Sequence, residues 1–293
     1  MRPRRFLQLD VFADTVGKGN ALAVVLDASG MDAVAMQRFA AWMNLSETAF
    51  LLPTTDAKAD YRVRIFTPRQ ELPFAGHPSV GSAYAALHSG IVQARDGVLM
   101  QECAAGLLPL RIETSGSRRR VHVRAPRASM RGANAGELDE LASIFPQVTR
   151  ENLARSRVVD NGPLWWIVPL AEAHAVRELR PSLAAMGSLC AASNCVGLAV
   201  HAHADAPDHQ LVVRAFCPND SIPEDPVTGS ANAAIAAVLA ADGELARCGN
   251  PYVASQGREL GRDGVVHVAV DDQDEVWIGG DCVVAISGEL SWT

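Results

Sequence analysis

Two short motifs occur twice in this chain, in the same order and at almost the same spacing. The pattern R-x-F-x-P occurs at 64–68 and again at 214–218, which is 150 residues later. The pattern P-x-x-G-S-A occurs at 78–83 and again at 226–231, which is 148 residues later. A repeat of about half the 293-residue chain indicates two related domains rather than the short units of a solenoid.

The hydrophobic pattern around these motifs is also shared by the two halves. Each half is predicted to run strand, helix, strand, strand and then, after the motifs, a short apolar helix at 82–87 or 231–241. A helix that is apolar on nearly all sides must be enclosed by other elements. The sequence therefore predicts an α+β fold of two pseudo-symmetric domains, each a curved, mostly antiparallel sheet or barrel around a central helix. We place the halves at 1–127 and 134–275, with a strand near 276–290 that can return to the first half.

Composition and charge argue against several classes of protein. Lys and Arg number 26 against 33 Asp and Glu, and the resulting net charge of −7 argues against a nucleic-acid binder. The sequence has no window of about 18 apolar residues, which argues against a membrane span. The N-terminus lacks the apolar core of an export signal, and the six cysteines are scattered without a CxxC pair. We therefore expect a cytoplasmic protein with reduced thiols.

The loops that precede the two central helices carry the candidate ligand-binding residues. The first loop contains Gly76 and His77, and the second contains Asp225 before Gly229 and Ser230. His77 and Asp225 each precede the matched proline of the repeat, so we expect them at equivalent places. The N–H groups and positive dipole end of a helix favour a carboxylate or phosphate, and a two-fold relation between the halves would bring both helix starts to one cleft. The alternative is a packing turn that was duplicated with the domain, with Asp225 as a helix N-cap.

Glu47 is the candidate acid/base. It lies in the segment Asn44–Thr48, between an amphipathic helix at 31–43 and an apolar strand at 49–52. A carboxylate at such a junction can take a proton from a substrate and return it within one turnover. The alternative for a single glutamate is a solvated charge.

These motifs together resemble the phenazine-biosynthesis PhzF-like family. The segments that carry the resemblance follow one another along nearly the whole chain, at Gly19–Val25, Asn44–Thr48, Phe66–Pro68, Gly76–Pro78 and Glu224–Ala231. The resemblance implies the diaminopimelate epimerase-like fold, in which two pseudo-symmetric halves each wrap a central helix. The internal repeat predicts the same architecture independently.

The resemblance also implies an activity. Members are similar to trans-2,3-dihydro-3-hydroxyanthranilate isomerase, a cofactor-independent enzyme that moves a proton between carbons of a small carboxylate. It implies that Glu47 is the general acid/base, with no metal and no cofactor. The residues that it assigns to substrate binding are Asn20, Gly76, His77, Asp225, Gly229 and Ser230. It implies a homodimer as well, which is the commonest oligomer of soluble proteins.

Two other functions stay open at this point. Amino-acid racemases and epimerases of this fold use a cysteine at the start of each central helix, where this chain has His77 and Asp225. Cys217 lies eight residues before Asp225 and has no counterpart in the first half. The second alternative is a non-catalytic metabolite-binding or partner-binding protein on the same fold, although a pure binder would not need Glu47, His77 and Asp225 together.

Two further patterns are interpreted as structural. His201, His203 and His209 have a spacing that could serve a metal, but the stretch 201–209 contains a proline and two aspartates. We therefore predict a loop with solvated histidines. The Trp165–Trp166 pair lies within an apolar strand and is interpreted as core or subunit contact rather than as a ligand platform.

Overall fold

The chain forms two compact units. The structure is a computed structural model that describes residues 3–116, 118–220 and 222–292. Unit 1 consists of two segments, one up to Arg124 and one from Gly279 onward, and unit 2 is Ala125–Ile278. The segment 128–133 lies between the predicted halves 1–127 and 134–275, and part of it forms a strand within unit 2. Within the described ranges, no helix is both long and apolar enough to cross a membrane.

The elements follow one another in a repeated order. The first part of the chain contains β1 (Arg4–Val11), β2 (Asn20–Val25), α1 (Ala33–Met43), β3 (Glu47–Leu52), β4 (Tyr61–Phe66), β5 (Glu71–Leu72), α2 (Gly76–His88), β6 (Val98–Cys103), β7 (Gly106–Ser115) and β8 (Arg118–Arg124). The second contains β9 (Ser129–Gly132), α3 (Ala135–Ile144), α4 (Arg150–Leu153), β10 (Arg157–Asp160), β11 (Leu164–Pro169), α5 (Ala173–Glu178), α6 (Leu183–Ala192), β12 (Gly197–His203), β13 (Leu211–Cys217), β14 (Ile222–Asp225), α7 (Gly229–Ala241), α8 (Leu245–Cys248), β15 (Tyr252–Gln256) and β16 (Gly264–Val270). The chain ends with β17 (Val276–Gly280) and β18 (Cys282–Leu290).

Unit 1 is a mixed sheet that surrounds one helix. Its strands pair in the order β18-β1-β2-β3-β4-β6-β7-β8. All of these pairs are antiparallel except β2–β3 and β4–β6, and β5 adds a short antiparallel pair to β4. Helix α2 packs against β1, β2, β3, β4, β6 and β8, so it is the central helix of this unit.

Unit 2 repeats this strand order over seven strands. Its strands pair in the order β9-β10-β11-β12-β13-β15-β16, with parallel pairs β11–β12 and β13–β15 and the short strand β14 beside β13. Helix α7 packs against β10, β11 and β16 and is the central helix here. The internal repeat therefore extends from the motifs to the strand order of both units.

Small side chains allow the strands to approach the central helices closely. Helix α7 is built mostly from alanine, and its buried residues lie on all of its sides. In unit 1, a Cβ atom on Gly81 of α2 would overlap the side chains of Leu22 and Val11. The motif glycine is therefore required where the helix meets the first two strands.

A second apolar layer covers the other face of each sheet. In unit 1, Met36 and Phe39 of α1 pack with Phe50 and Phe66 of the sheet. In unit 2, residues of α3, α5 and α6 pack with β10–β13 around Trp166. Each sheet thus lies between a central helix and an outer layer, which explains why its strands are apolar on both faces.

The histidine-rich stretch differs from its prediction. Strand β12 continues to His203, so the loop expected over 201–209 begins only at 204. His201 is 4% exposed and His209 7%, so the expectation of solvated histidines was wrong for these two. The strand continues because Leu198, Val200 and Ala202 alternate into the apolar outer layer. Burial, with smaller contributions from the neighbouring His203 and Arg155, lowers the pKa of His201 to about 3.

Candidate active site

Glu47 and His77 form a direct pair in unit 1. Glu47 is the first residue of β3 and His77 is the second residue of α2, and the Glu47 Oε2 to His77 Nδ1 distance is 3.0 Å. The Glu47 side chain is 20% exposed and the His77 side chain only 6%. The pair can therefore be reached from outside through the carboxylate while the imidazole stays enclosed. His77 Nε2 is buried and has no hydrogen-bond partner among the described residues.

Asn20 lies beside this pair. It begins β2, which runs parallel to β3, and its side-chain oxygen accepts a hydrogen bond of 3.3 Å from the Ser46 hydroxyl. The preceding Gly19 has no room for a side chain, because a Cβ atom there would collide with the carbonyl oxygen of Val11. The Gly-Asn element thus fixes Asn20 next to the turn that carries Glu47.

Buried polar side chains form hydrogen bonds with the first turn of α2. Gln101 of β6 donates to the Ser79 hydroxyl at 3.0 Å and accepts from the Tyr61 hydroxyl at 2.8 Å. Burial raises the pKa of Tyr61, so this phenol stays protonated and keeps its donor. No side chain of the preceding residue, Ala75, caps this helix start. Its first N–H groups and dipole therefore favour an anion near Gly76 and His77.

Asp225 belongs to a separate buried network in unit 2. It ends β14 and is 9% exposed, and its Oδ2 accepts a 2.6 Å hydrogen bond from the Thr228 hydroxyl. Gln256 of β15 donates to the Asp225 carbonyl oxygen at 3.0 Å and to the Thr228 hydroxyl at 2.9 Å. Asp225 is thus held by two residues that the sequence analysis did not single out.

Gly229 and Ser230 form the start of α7. The Ser230 hydroxyl accepts from Trp165 Nε1 at 3.1 Å, and the Ser230 carbonyl accepts from the Asn161 side chain at 2.8 Å. Trp165 is 3% exposed and lies on β11, so the tryptophan pair belongs to the core, and one of its members also contacts a candidate site residue.

The expected equivalence of His77 and Asp225 is wrong. His77 lies within α2, whereas Asp225 ends a strand and is separated from α7 by Pro226, Val227 and Thr228. The matched prolines differ in the same way, since Pro78 is the third residue of α2. Proline is accepted in both settings, because a helix needs no N–H in its first turn and an extended segment suits its fixed φ.

The remaining candidates do not form sites. Cys217 ends β13 beside Ile222, is buried, and forms no disulfide. In the part of the chain that the structure describes, no three or more His, Cys, Asp or Glu side chains are grouped to hold a metal ion. His203 instead lies 3.2 Å from the Cys248 thiol, whose pKa burial raises to about 11.

Comparison with known proteins shows which family the chain is similar to. The family model for phenazine biosynthesis-like proteins, PhzC-PhzF, matches residues 9–288. The chain is 31% identical over 296 residues to antisense-enhancing sequence 1 of Schizosaccharomyces pombe, with 99% of each protein covered. It is 32% identical over 296 residues to an uncharacterized isomerase of Deinococcus radiodurans, covering 97% of this chain and 94% of that one.

Solved structures show the same fold. A PhzF family protein of Bacillus anthracis superposes with a TM-score of 0.84 at 24% identity, covering 99% of this chain and 100% of the other. A hydroxyproline epimerase of Agrobacterium vitis superposes with a TM-score of 0.66 at 16% identity, covering 99% of this chain and 92% of the other. These matches confirm the predicted α+β epimerase-like fold.

The fold and the named relatives thus define an enzyme of the isomerase class, as the sequence predicted. The chain belongs to the phenazine biosynthesis-like protein family, PhzC-PhzF.

Proposed function

We propose that this protein is a cofactor-independent isomerase that moves a proton between two carbons of a small carboxylate substrate, with Glu47 as general acid/base. The observation that carries the proposal is the 3.0 Å pair between Glu47 and His77 at the start of α2. A carboxylate that is partly exposed, and oriented by a buried partner, is suited to proton transfer with a bound molecule.

His77 gives the carboxylate one defined orientation. When His77 is neutral, donation from Nδ1–H to Glu47 leaves Nε2 as an acceptor. Nε2 is buried without a partner among the described residues, so it can accept a hydroxyl or ammonium hydrogen from a substrate that enters beside the imidazole. One imidazole would thus orient both the base and the substrate.

The proton path uses one carboxylate twice. Glu47 takes a proton from one carbon of the substrate, and the electron pair of that C–H bond shifts into the conjugated system. The protonated Glu47 then returns the same proton to a second carbon, so that the enzyme ends in its starting state. The uncapped start of α2 would favour the substrate carboxylate near Gly76.

The remaining substrate-binding residues are assigned from the sequence motifs. We propose that Asn20 and His77 bind the substrate in unit 1, together with Gly76. We propose the same role for Asp225, Gly229 and Ser230 in unit 2, with the Asp225 carboxylate accepting a hydroxyl or ammonium hydrogen. A compound like trans-2,3-dihydro-3-hydroxyanthranilate carries all of these groups and is the first substrate to test.

The test follows this compound by proton NMR in D₂O with the wild type and with Glu47→Gln. We expect the wild type to convert it and Glu47→Gln to lose at least about 100-fold in kcat, the usual contribution of a general acid/base. The control is Glu113→Gln, which alters an exposed carboxylate of β7 in the same unit and is expected to keep wild-type activity.

The outcomes separate the parts of the proposal. Conversion by Glu47→Gln at the wild-type rate would keep the activity and reject Glu47 as the base. If the wild type does not convert this compound, other small carboxylates are screened by NMR for isomerisation and for exchange of a carbon-bound hydrogen with D₂O. Because Glu47 can return the proton without exchange, the absence of both isomerisation and exchange in the whole set would reject the proton-shift reaction.

A further inference from the structure

Thr228 does not use its hydroxyl in the way that is usual for its position. It is the N-cap residue of α7, where a threonine hydroxyl normally accepts a hydrogen bond from a first-turn N–H. Here the side chain makes no capping hydrogen bond. Its hydroxyl instead donates to Asp225 Oδ2 at 2.6 Å, which is the length of a charge-assisted bond. The start of α7 therefore has no side-chain cap, and the Thr228 hydroxyl is a hydrogen-bond donor to the Asp225 carboxylate instead.

Gln256 determines the direction of that hydroxyl. Its Oε1 accepts from the backbone N–H of Thr228 at 3.0 Å, and its Nε2 donates to the backbone carbonyl of Asp225 at 3.0 Å. A backbone N–H can only donate and a backbone carbonyl can only accept, so these two bonds fix the orientation of the amide. Gln256 is fully buried, and Asn232 provides a second donor to Oε1 at 3.0 Å.

The fixed amide leaves Thr228 a single arrangement. The second hydrogen of Gln256 Nε2 points to Thr228 Oγ1 at 2.9 Å, so the hydroxyl is an acceptor on that side. Its own hydrogen is therefore available for Asp225. We infer that Thr228, oriented by Gln256, is a positioning residue that holds the Asp225 carboxylate in place as an acceptor for a donor group of the substrate. This inference rests on the proposed substrate-binding role of Asp225.

Unit 1 contains a matched control. Gln101 is also fully buried and also contacts the first turn of a central helix, through Ser79. Its partners are the neutral hydroxyls of Ser79 and Tyr61, so Gln101 orients no carboxylate. Replacement of either glutamine by glutamate places an acid in a buried network at a helix start, but only the change at Gln256 removes the donor that directs Thr228.

The main experiment compares Thr228→Val with Thr228→Ser in the full-length protein. Valine keeps the shape of threonine and removes the hydroxyl, whereas serine keeps the hydroxyl. Crystal structures of both variants are expected to show the Asp225 carboxylate displaced by about 1 Å or more in Thr228→Val and unmoved in Thr228→Ser. With trans-2,3-dihydro-3-hydroxyanthranilate, we expect Thr228→Val to raise KM at least about ten-fold with kcat within about two-fold, and Thr228→Ser to restore KM.

The second pair tests the relay itself. Gln256→Glu is expected to displace Asp225 as Thr228→Val does, while Gln101→Glu lowers the melting temperature and leaves Asp225 in place. An unmoved Asp225 in both Thr228→Val and Gln256→Glu would overturn the inference. So would a displaced Asp225 with unchanged KM. If the wild type does not convert the compound, the proposed substrate fails, and the crystal structures still decide whether Thr228 and Gln256 position Asp225.

Discussion

At the scale of single residues, His201 is a buried imidazole that the folded protein keeps neutral. Both of its ring nitrogens are buried without a hydrogen-bond partner among the described residues. The neighbouring His203 and Arg155 add to the effect of burial in lowering the pKa of His201 to about 3. The imidazole is therefore neutral in the folded protein throughout the neutral and mildly acidic range.

This depressed pKa predicts a loss of stability in acid. Above pH 6.5, His201 is neutral in both states and its contribution is constant. Below pH 6.5, His201 becomes protonated in the unfolded chain but stays neutral in the folded chain until about pH 3. The free energy of unfolding therefore falls as pH falls through this window. The ceiling for this group is about 5 kcal/mol across the window. We expect His201→Leu to flatten the pH dependence measured by urea unfolding between pH 7 and pH 4.

The control for this prediction is His174→Gln, because the His174 side chain is 66% exposed. His122 and His203 also have pKa values lowered by burial, and they remain in both variants. The difference between wild type and His201→Leu therefore isolates His201. Parallel pH curves for these two proteins would contradict the prediction.

Some residues of the candidate site could be predicted from the sequence, and others could not. Glu47 and His77 stand in recognisable motifs, and their pairing required only that a strand begin near a helix start. Thr228 lies inside a motif that gives it no role of its own. Nothing in the sequence marks Gln256, because its contact with Asp225 joins residues 31 apart. Such a contact depends on the register of β15 beside β13, which no local pattern reports.

At the scale of elements, the repeated R-x-F-x-P motif carries the same ion pair in both units. Arg64 binds Glu71 with two hydrogen bonds of 2.6 Å, and Arg214 binds Glu224 with two of 2.8 Å. Each pair ties a long strand to the short strand that precedes the central helix. The two pairs differ in burial, since the side chains of Arg214 and Glu224 are only 5% and 10% exposed.

We expect the two pairs to differ in energy for the same reason. Arg214 also donates to the carbonyl of Leu179 at 2.8 Å, so Arg214→Met would leave a buried carboxylate and a carbonyl without their donor. The expected cost is about 3–5 kcal/mol. Arg64→Met removes a pair whose side chains are 24% and 33% exposed, and we expect about 1 kcal/mol or less. Urea unfolding of both variants measures the difference. Equal losses in the free energy of unfolding would show that burial does not determine the energies of these ion pairs.

Element boundaries were predictable where periodicity is strong. The amphipathic helix expected at 31–43 is Ala33–Met43, and the apolar helix expected at 231–241 is Gly229–Ala241. The helix expected at 82–87 instead begins at Gly76, because glycine and proline in its first turn resemble a loop in the sequence. Strand β9 was missed because all four of its residues are exposed, so it has no apolar alternation.

At the scale of the whole molecule, the chain order and the units do not coincide. Strand β18 is the last element of the chain, yet it pairs with β1 within unit 1, with Leu290 opposite Arg4. Trp292 beyond it packs on Phe39 with ring centroids 5.1 Å apart and donates to the carbonyl of Ala35. The sequence indicated a late strand that could return to the first half, but only pairing partners determine which sheet it completes.

This connectivity predicts which fragments of unit 1 can fold. Residues 1–124 alone would leave β1 paired only with β2, with its other edge open, and would lack the Trp292 contact. A permuted fragment, with 279–293 joined by a short Gly-Ser linker to 1–124, restores both, because β18 ends where β1 begins and a hairpin can connect them. We expect the permuted fragment to give a dispersed ¹H–¹⁵N spectrum. We expect the fragment 1–124 to aggregate and to give a poorly dispersed spectrum. The permuted fragment with Trp292→Ala separates the contribution of the strand from that of the aromatic contact. A well-dispersed spectrum from 1–124 alone would show that unit 1 does not need its C-terminal strand.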